Sequence, residues 1–165
     1  GIRLAQRMNW KIGDTLTTGK ISPYQEIPRF SPEHFGRVLV KDALKRKQLE
    51  KGLQQLVDEG AIQFFYDPLV GRQDPVLGVV GLLQFDVLLY RLRDEYGLAV
   101  QFEALPYKLA RWPKDKLGKA VTGGINGNVK IYHDVLGNPV ILFNEEWDLR
   151  WLQKQNPEIE LRITS

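Results

Sequence analysis

The chain has no cysteine among its 165 residues. Disulfides, thiolate metal sites and cysteine nucleophiles are therefore excluded, and the composition fits a reducing cytoplasm. It has two histidines, His34 and His133. Neither has a histidine or acidic partner at ligand spacing, and a zinc site needs three or four convergent ligands. The three serines, Ser22, Ser31 and Ser165, lie outside any G-x-S-x-G elbow, so a serine hydrolase has no support. No apolar run approaches the roughly 18 residues that suggest a membrane span, and the first ten residues, GIRLAQRMNW, lack the apolar centre of a secretion signal. Gly118–Asn128, GKAVTGGINGN, is glycine-rich but contains neither G-K-[ST] nor a clean G-x-G-x-x-G, and it reads as a flexible loop. The acidic pairs Asp58-Glu59, Asp94-Glu95 and Glu145-Glu146 fall at predicted helix ends. Exposure there does not split carboxylate pKa values as acid–base catalysis requires. With catalysis unsupported, the function open to this chain is binding.

What is present is an ordinary globular composition, 43% hydrophobic and 26% charged, able to bury a core. The first residue is Gly and not Met, which points to a piece of a longer chain. The net charge of +3 is uneven: residues 1–51 carry 11 Lys+Arg against 5 Asp+Glu, and residues 52–165 carry 12 against 15. The first third is thus the place for a polyanion, against the plainer reading of ordinary surface charge.

Residues 1–21 read as strands with a turn at Gly13-Asp14, too few to form a stable sheet alone. Residues 22–33 hold Pro23, Pro28 and Pro32 and form a semi-stiff linker at a domain boundary. From His34 the periods are clear. His34–Lys41 alternates as a strand, Asp42 can cap a helix, and Ala43–Glu59 places Leu49, Leu53, Leu56 and Val57 on one stripe, closed by Gly60. Ala61–Asp67 is an aromatic strand, Pro68–Asp74 a loop, and Pro75–Val80 an apolar strand. Val79–Gly97, VVGLLQFDVLLYRLRDEYG, turns tightly from strand to helix and ends at Gly97, before the strand Leu98–Leu105. The order β-α-β-β-α-β over residues 34–105 predicts an α+β, ferredoxin-like split βαβ domain. Residues 106–165 form a C-terminal α/β extension. It has a polar insertion over 114–127, a hairpin around Asp134–Asn138, a helix capped by Asn144 with Trp147, Trp151 and Leu152 facing the core, and a last strand.

Two surfaces stand out. Lys41, Lys45, Arg46, Lys47 and Lys51 lie within eleven residues, with Arg37 on the preceding strand and Arg72 on a later loop. These seven residues are the candidate RNA contact, where phosphate contacts position without reading sequence; the alternative is a solvated helix face. The second helix carries apolar residues on two sides. Phe85, Leu88, Leu89, Leu92 and Tyr96 should face the sheet, which leaves Leu83, Val87 and Tyr90 for the extension or the linker to cover, or for a partner. The four tryptophans could stack bases, but core packing is the expected role.

Three stretches carry a resemblance. Lys11–Leu16, KIGDTL, is similar to the closing turn of the β-barrel second domain of translational GTPases. Phe30–Asp42 with Leu44–Phe65 is similar to the start of the third domain of bacterial peptide chain release factor 3. Val76–Val87, VLGVVGLLQFDV, carries a G-x-L-Q-F-D-V run close to a signature of that family. The chain therefore resembles the C-terminal part of the release factor 3 family, strongly over residues 10–112. The resemblance implies the tail of a barrel at 1–21, the linker at 22–33, the third domain at 34–105 and its extension at 106–165. It further implies a cytoplasmic, ribosome-bound GTPase of translation termination that promotes dissociation of the decoding release factors, with rRNA, small-subunit proteins and its own GTP-binding domain as partners and no membrane. GTP or GDP with Mg would sit in that other domain, and no cofactor or catalytic residue is expected here. A fragment of an elongation-factor-G-like or ribosome-protection GTPase is the alternative within translation, and a ligand-sensing or self-associating ferredoxin-like module the alternative outside it.

Overall fold

A computed structural model of the chain describes residues 31–165. The expected barrel strands, the Gly13-Asp14 turn, the Lys11–Leu16 run and most of the linker lie outside the described residues. Strand β1 (His34–Val40) leads through a 3-10 turn (Ala43–Lys45) into helix α1 (Arg46–Asp58), followed by β2 (Gln63–Asp67), β3 (Gly71–Val79), α2 (Leu83–Tyr96) and β4 (Val100–Leu105). The strand β1 pairs antiparallel with both β3 and β4, and β3 pairs antiparallel with β2. Hence β1 runs parallel to β2 with β3 between them, and β3 runs parallel to β4 with β1 between them. These two interlocked crossovers are the predicted split βαβ arrangement.

Local chemistry explains the elements. Asp42 accepts a hydrogen bond from the Leu44 backbone N–H at 2.9 Å and starts the first helical turn. Gly60 and Gly97, with φ of 74° and 62°, end the two long helices in the left-handed region. The tight start of α2 rests on Gln84, whose Oε1 accepts from the backbone N–H groups of Val80 and Gly81 at 2.9 and 3.1 Å. That is the glutamine half of a capping box, and it satisfies donors that a short strand-to-helix turn would otherwise orphan. The helices bury Leu49, Leu53, Leu56 and Val57 from α1 and Phe85, Leu88 and Leu92 from α2 against Val38, Leu77 and Val79 of the sheet.

The remaining elements are β5 (Leu109–Lys114), β6 (Ile131–Asp134), β7 (Pro139–Phe143), α3 (Glu146–Gln155) and β8 (Glu160–Arg162). The whole sheet has the order β4-β1-β3-β2-β6-β7-β5-β8. Because β6 pairs with the free edge of β2, the extension continues the sheet and curls over the face that α1 and α2 leave open. There Trp112, Tyr132, Val140 and Leu142 bury Phe35, Phe65 and Val76. Tyr107 meets Tyr132 hydroxyl to hydroxyl at 3.2 Å, and burial, helped by that contact, pushes its phenol up to about 12. Helix α3 packs Leu152 against Ile141 and Phe143 on the sheet's other side.

Several expectations are corrected. Strand β3 begins at Gly71, inside the expected loop, with a register shift in β2 between Phe65 and Asp67 that admits it. Helix α3 is capped by Glu145, without a side-chain capping bond, and not by Asn144. Trp147 and Trp151 are exposed, because one buried turn of a short helix needs only Leu152 and its half-buried neighbour Leu149.

Candidate nucleic-acid interface

The cationic residues of the first helix gather at its start. Lys41, Arg46, Lys47 and Lys51 are exposed and Lys45 is half-buried, while the apolar stripe of the same helix is buried. None of these five makes an ion pair among the described residues. Elsewhere some cations are paired, while others, such as Lys114, Lys116, Lys119 and Lys154, make no ion pair among the described residues. Arg91 of α2 bridges Glu59 and Glu95, and Lys130 meets Asp67 at 2.9 Å. Those pairs hold Glu59 and Asp67 below their ordinary values, chiefly through the hydrogen bonds from Arg91 and Lys130 respectively. Three of the five cations, Lys45, Arg46 and Lys47, stand at the N-terminal end of α1, where no acidic residue occupies the first turn. The helix dipole disfavours positive charge at that end.

The seven predicted contact residues do not form one patch. Arg72 joins the helix cluster: together with Arg46, Lys47 and Lys51 it lines a cleft of about 580 Å³ between α1 and β3. Its guanidinium lies 5.2 Å from the ring centre of Tyr66 and donates to the Val135 carbonyl at 3.3 Å. Arg37 is separated from them. Strand alternation puts it with Phe35 on the face opposite α1, where its Nε is buried with no hydrogen-bond partner among the described residues.

The extension does not cover the second apolar side of α2. Leu83, Val87 and Tyr90 are 77%, 54% and 57% exposed, and Val80 and Leu82 beside them are exposed too. The physical reason is the β2–β6 pairing, which draws residues after Pro106 to the opposite face of the sheet. The described end of the linker goes the same way. Ser31 donates to the Ala110 carbonyl at 3.1 Å, and the Pro32 ring would lie 2.9 Å from a β-carbon added at Gly78.

Sequence reasoning passed over an aromatic group on the helix side of the sheet. Phe64 and Tyr66, alternate residues of β2, have ring centres 6.2 Å apart, and His133 of β6 stands edge-on to Tyr66 at 5.8 Å. All three are half-buried. The signal was the run Phe64-Phe65-Tyr66, but which rings share a face with His133 depends on β2–β6 pairing. Among the described residues no group of three or more His, Cys, Asp or Glu could hold a metal ion, and no described helix is long and apolar enough to cross a membrane.

Comparison with known proteins supplies the family. Residues 24–153 match the family model described as "Class II release factor RF3, C-terminal domain". The chain is 45% identical over 156 residues to the peptide chain release factor 3 of Symbiobacterium thermophilum, covering 94% of the chain and 29% of that protein. It is 41% identical over 150 residues to that of Acaryochloris marina and 41% identical over 155 residues to that of Latilactobacillus sakei, covering 28% and 29% of those proteins. The chain thus spans under a third of the length of these relatives, and with a family model matched over most of its residues it belongs to the class II release factor RF3 C-terminal domain family.

Proposed function

We propose that this chain is the part of a GTP-dependent release factor that holds the factor on the ribosome, and that the cationic start of α1 touches ribosomal RNA. In this reading the longer protein binds GTP or GDP with Mg in a domain outside the chain and promotes dissociation of decoding release factors in the cytoplasm. Its partners are rRNA, small-subunit proteins and its own GTP-binding domain. The apolar face of Leu83, Val87 and Tyr90 is the surface offered to the rest of the factor, because large exposed apolar patches mark interaction sites. No catalysis is assigned to any residue here.

One observation carries the RNA contact. Lys41, Lys45, Arg46, Lys47 and Lys51 stand without ion-pair partners among the described residues, and three of them sit where the helix dipole opposes them. A cation so placed costs roughly 0.3–1 kcal/mol. A phosphate reverses the sign, since it pairs with these cations and its negative charge suits the positive end of the helix dipole.

Ribosome pelleting with the Arg46→Glu/Lys47→Glu variant tests this. The wild-type chain is expected to pellet at low salt and be released at high salt, and the variant to bind at least about tenfold more weakly. The melting temperature of the variant should equal or exceed that of the wild type, because acids suit a helix start. A wild-type chain that leaves ribosomes untouched at low salt, or a variant that pellets as well as wild type, overturns the proposal.

A further inference from the structure

The cleft beside α1 is more than a charged surface. We infer that it is a pocket for one unstacked base of single-stranded RNA, an inference that rests on the RNA contact proposed above and deepens it. Its volume of about 580 Å³ lies within the roughly 300–1,000 Å³ of ligand pockets. Its apolar lining includes Leu49, Leu53 and the half-buried ring of Phe64, which offers a base the kind of aromatic partner that unstacked bases use. The neighbouring Tyr66, already faced by the Arg72 guanidinium at 5.2 Å, continues the aromatic strip along β2.

The polar lining distinguishes a nucleotide from a bare anion. Arg46, Lys47 and Lys51 come from α1 and Arg72 from β3, so cations from two elements meet at the same cleft and can hold the phosphates on either side of one base. Beside them Glu50 and Asp74 are exposed carboxylates, and Gln73 is an exposed amide. The Gln73 and Asp74 side chains have no hydrogen-bond partner among the described residues. Asp74 is held at φ 49°, the sole non-glycine residue with positive φ among those described, next to Pro75 on β3. Four cations against two carboxylates leave the cleft net positive, and the two carboxylates add acceptors for which a bare phosphate has no donor. They accept hydrogen bonds from the exocyclic amine of a base, as Asp and Glu do from cytosine N4.

The test is fluorescence anisotropy of the whole chain with a short labelled oligo(C) RNA. An abasic backbone of equal length and an acidic peptide of equal charge serve as comparisons. Oligo(C) is expected to bind at least about fivefold tighter than the abasic backbone, the lower end of what one stacked base contributes. Phe64→Leu, which keeps apolar packing, and Gln73→Ala, on the surface, should each shrink that preference while leaving abasic binding unchanged. Equal binding of oligo(C) and the abasic backbone overturns the pocket and leaves the phosphate contact standing. Tighter binding of the acidic peptide overturns it in favour of a protein ligand. No binding of any of the three at low salt overturns the pocket and the RNA contact together.

Discussion

From β1 to β4 the chain is held by apolar stripes, and from β5 to β8 it leans on buried polar side chains. The first part packs leucines and valines of α1 and α2 on one sheet face, and apart from the buried Nε of Arg37 its polar groups stay at helix ends and on the surface. In the second part Asp134 is buried at the β6–β7 turn. It accepts from Trp112 Nε1 at 3.0 Å, from the backbone N–H groups of Leu136 and Asn138, and from the Asn138 side chain. Asn156, also buried, fastens the 114–127 insertion to the end of α3. Its Oδ1 accepts from the Asn126 N–H at 2.7 Å, and its Nδ2 donates to the carbonyls of Asn126 and Leu152. Apolar packing tolerates changes of shape at fixed volume, whereas a buried hydrogen-bonding hub tolerates no change of donor into acceptor. The half with forgiving packing also carries the cationic start of α1 and the exposed apolar face of α2, so its surface is open to change for binding.

The comparison breaks most visibly at Asp134. Asp134→Asn keeps the volume but turns an amide donor toward other donors. It is expected to cost about 2–3 kcal/mol in urea unfolding, the range for leaving buried groups unsatisfied. In the first half Leu53→Met, at a fully buried position, should cost less than about 1.5 kcal/mol. If Leu53→Met proves the costlier of the two, the contrast between the halves fails. A smaller effect is expected at Gln84. Gln84→Ala leaves the Val80 and Gly81 N–H groups to water and should cost about 1 kcal/mol, with α2 amides near Gly81 exchanging hydrogen faster than those near Gly97.

The smallest effect is a pH dependence. Glu59 is held below its ordinary 4.5, first by the hydrogen bond from Arg91. A carboxylate with a depressed folded pKa adds stability above its unfolded pKa and loses it as pH falls through the folded one. Both partners are partly exposed, so the pair is worth no more than about 1 kcal/mol. Glu59→Gln should therefore be slightly less stable than wild type at pH 7, and the difference should vanish below the folded pKa. A difference that persists in strong acid would assign the loss to packing and not to the ion pair.

Residues 34–105 were legible because their signals are local. The stripe Leu49-Leu53-Leu56-Val57, the closing glycines Gly60 and Gly97 and the alternation in β1 are each settled within a few residues of chain. The same holds for the turn at Gly137, with φ 84°. The basic start of α1 was legible for the same reason, since five cations within three turns of helix must lie close together. The aromatic strip, the position of Arg37 and the fate of the extension were not legible, since each depends on strands far apart in sequence.

What the sequence by itself determined is the order of elements, the family signature at Gly81–Val87 and a cluster of cations at the start of the first helix. Tertiary structure alone decided that β6 takes the free edge of β2. That one pairing sends the extension to the face opposite the helices and leaves Leu83, Val87 and Tyr90 open. It also sets His133 beside Tyr66. The reason is physical: hydrogen bonding along a sheet edge is available to any strand of suitable length, so its choice depends on which hydrophobic faces can be buried together and not on the residues that pair.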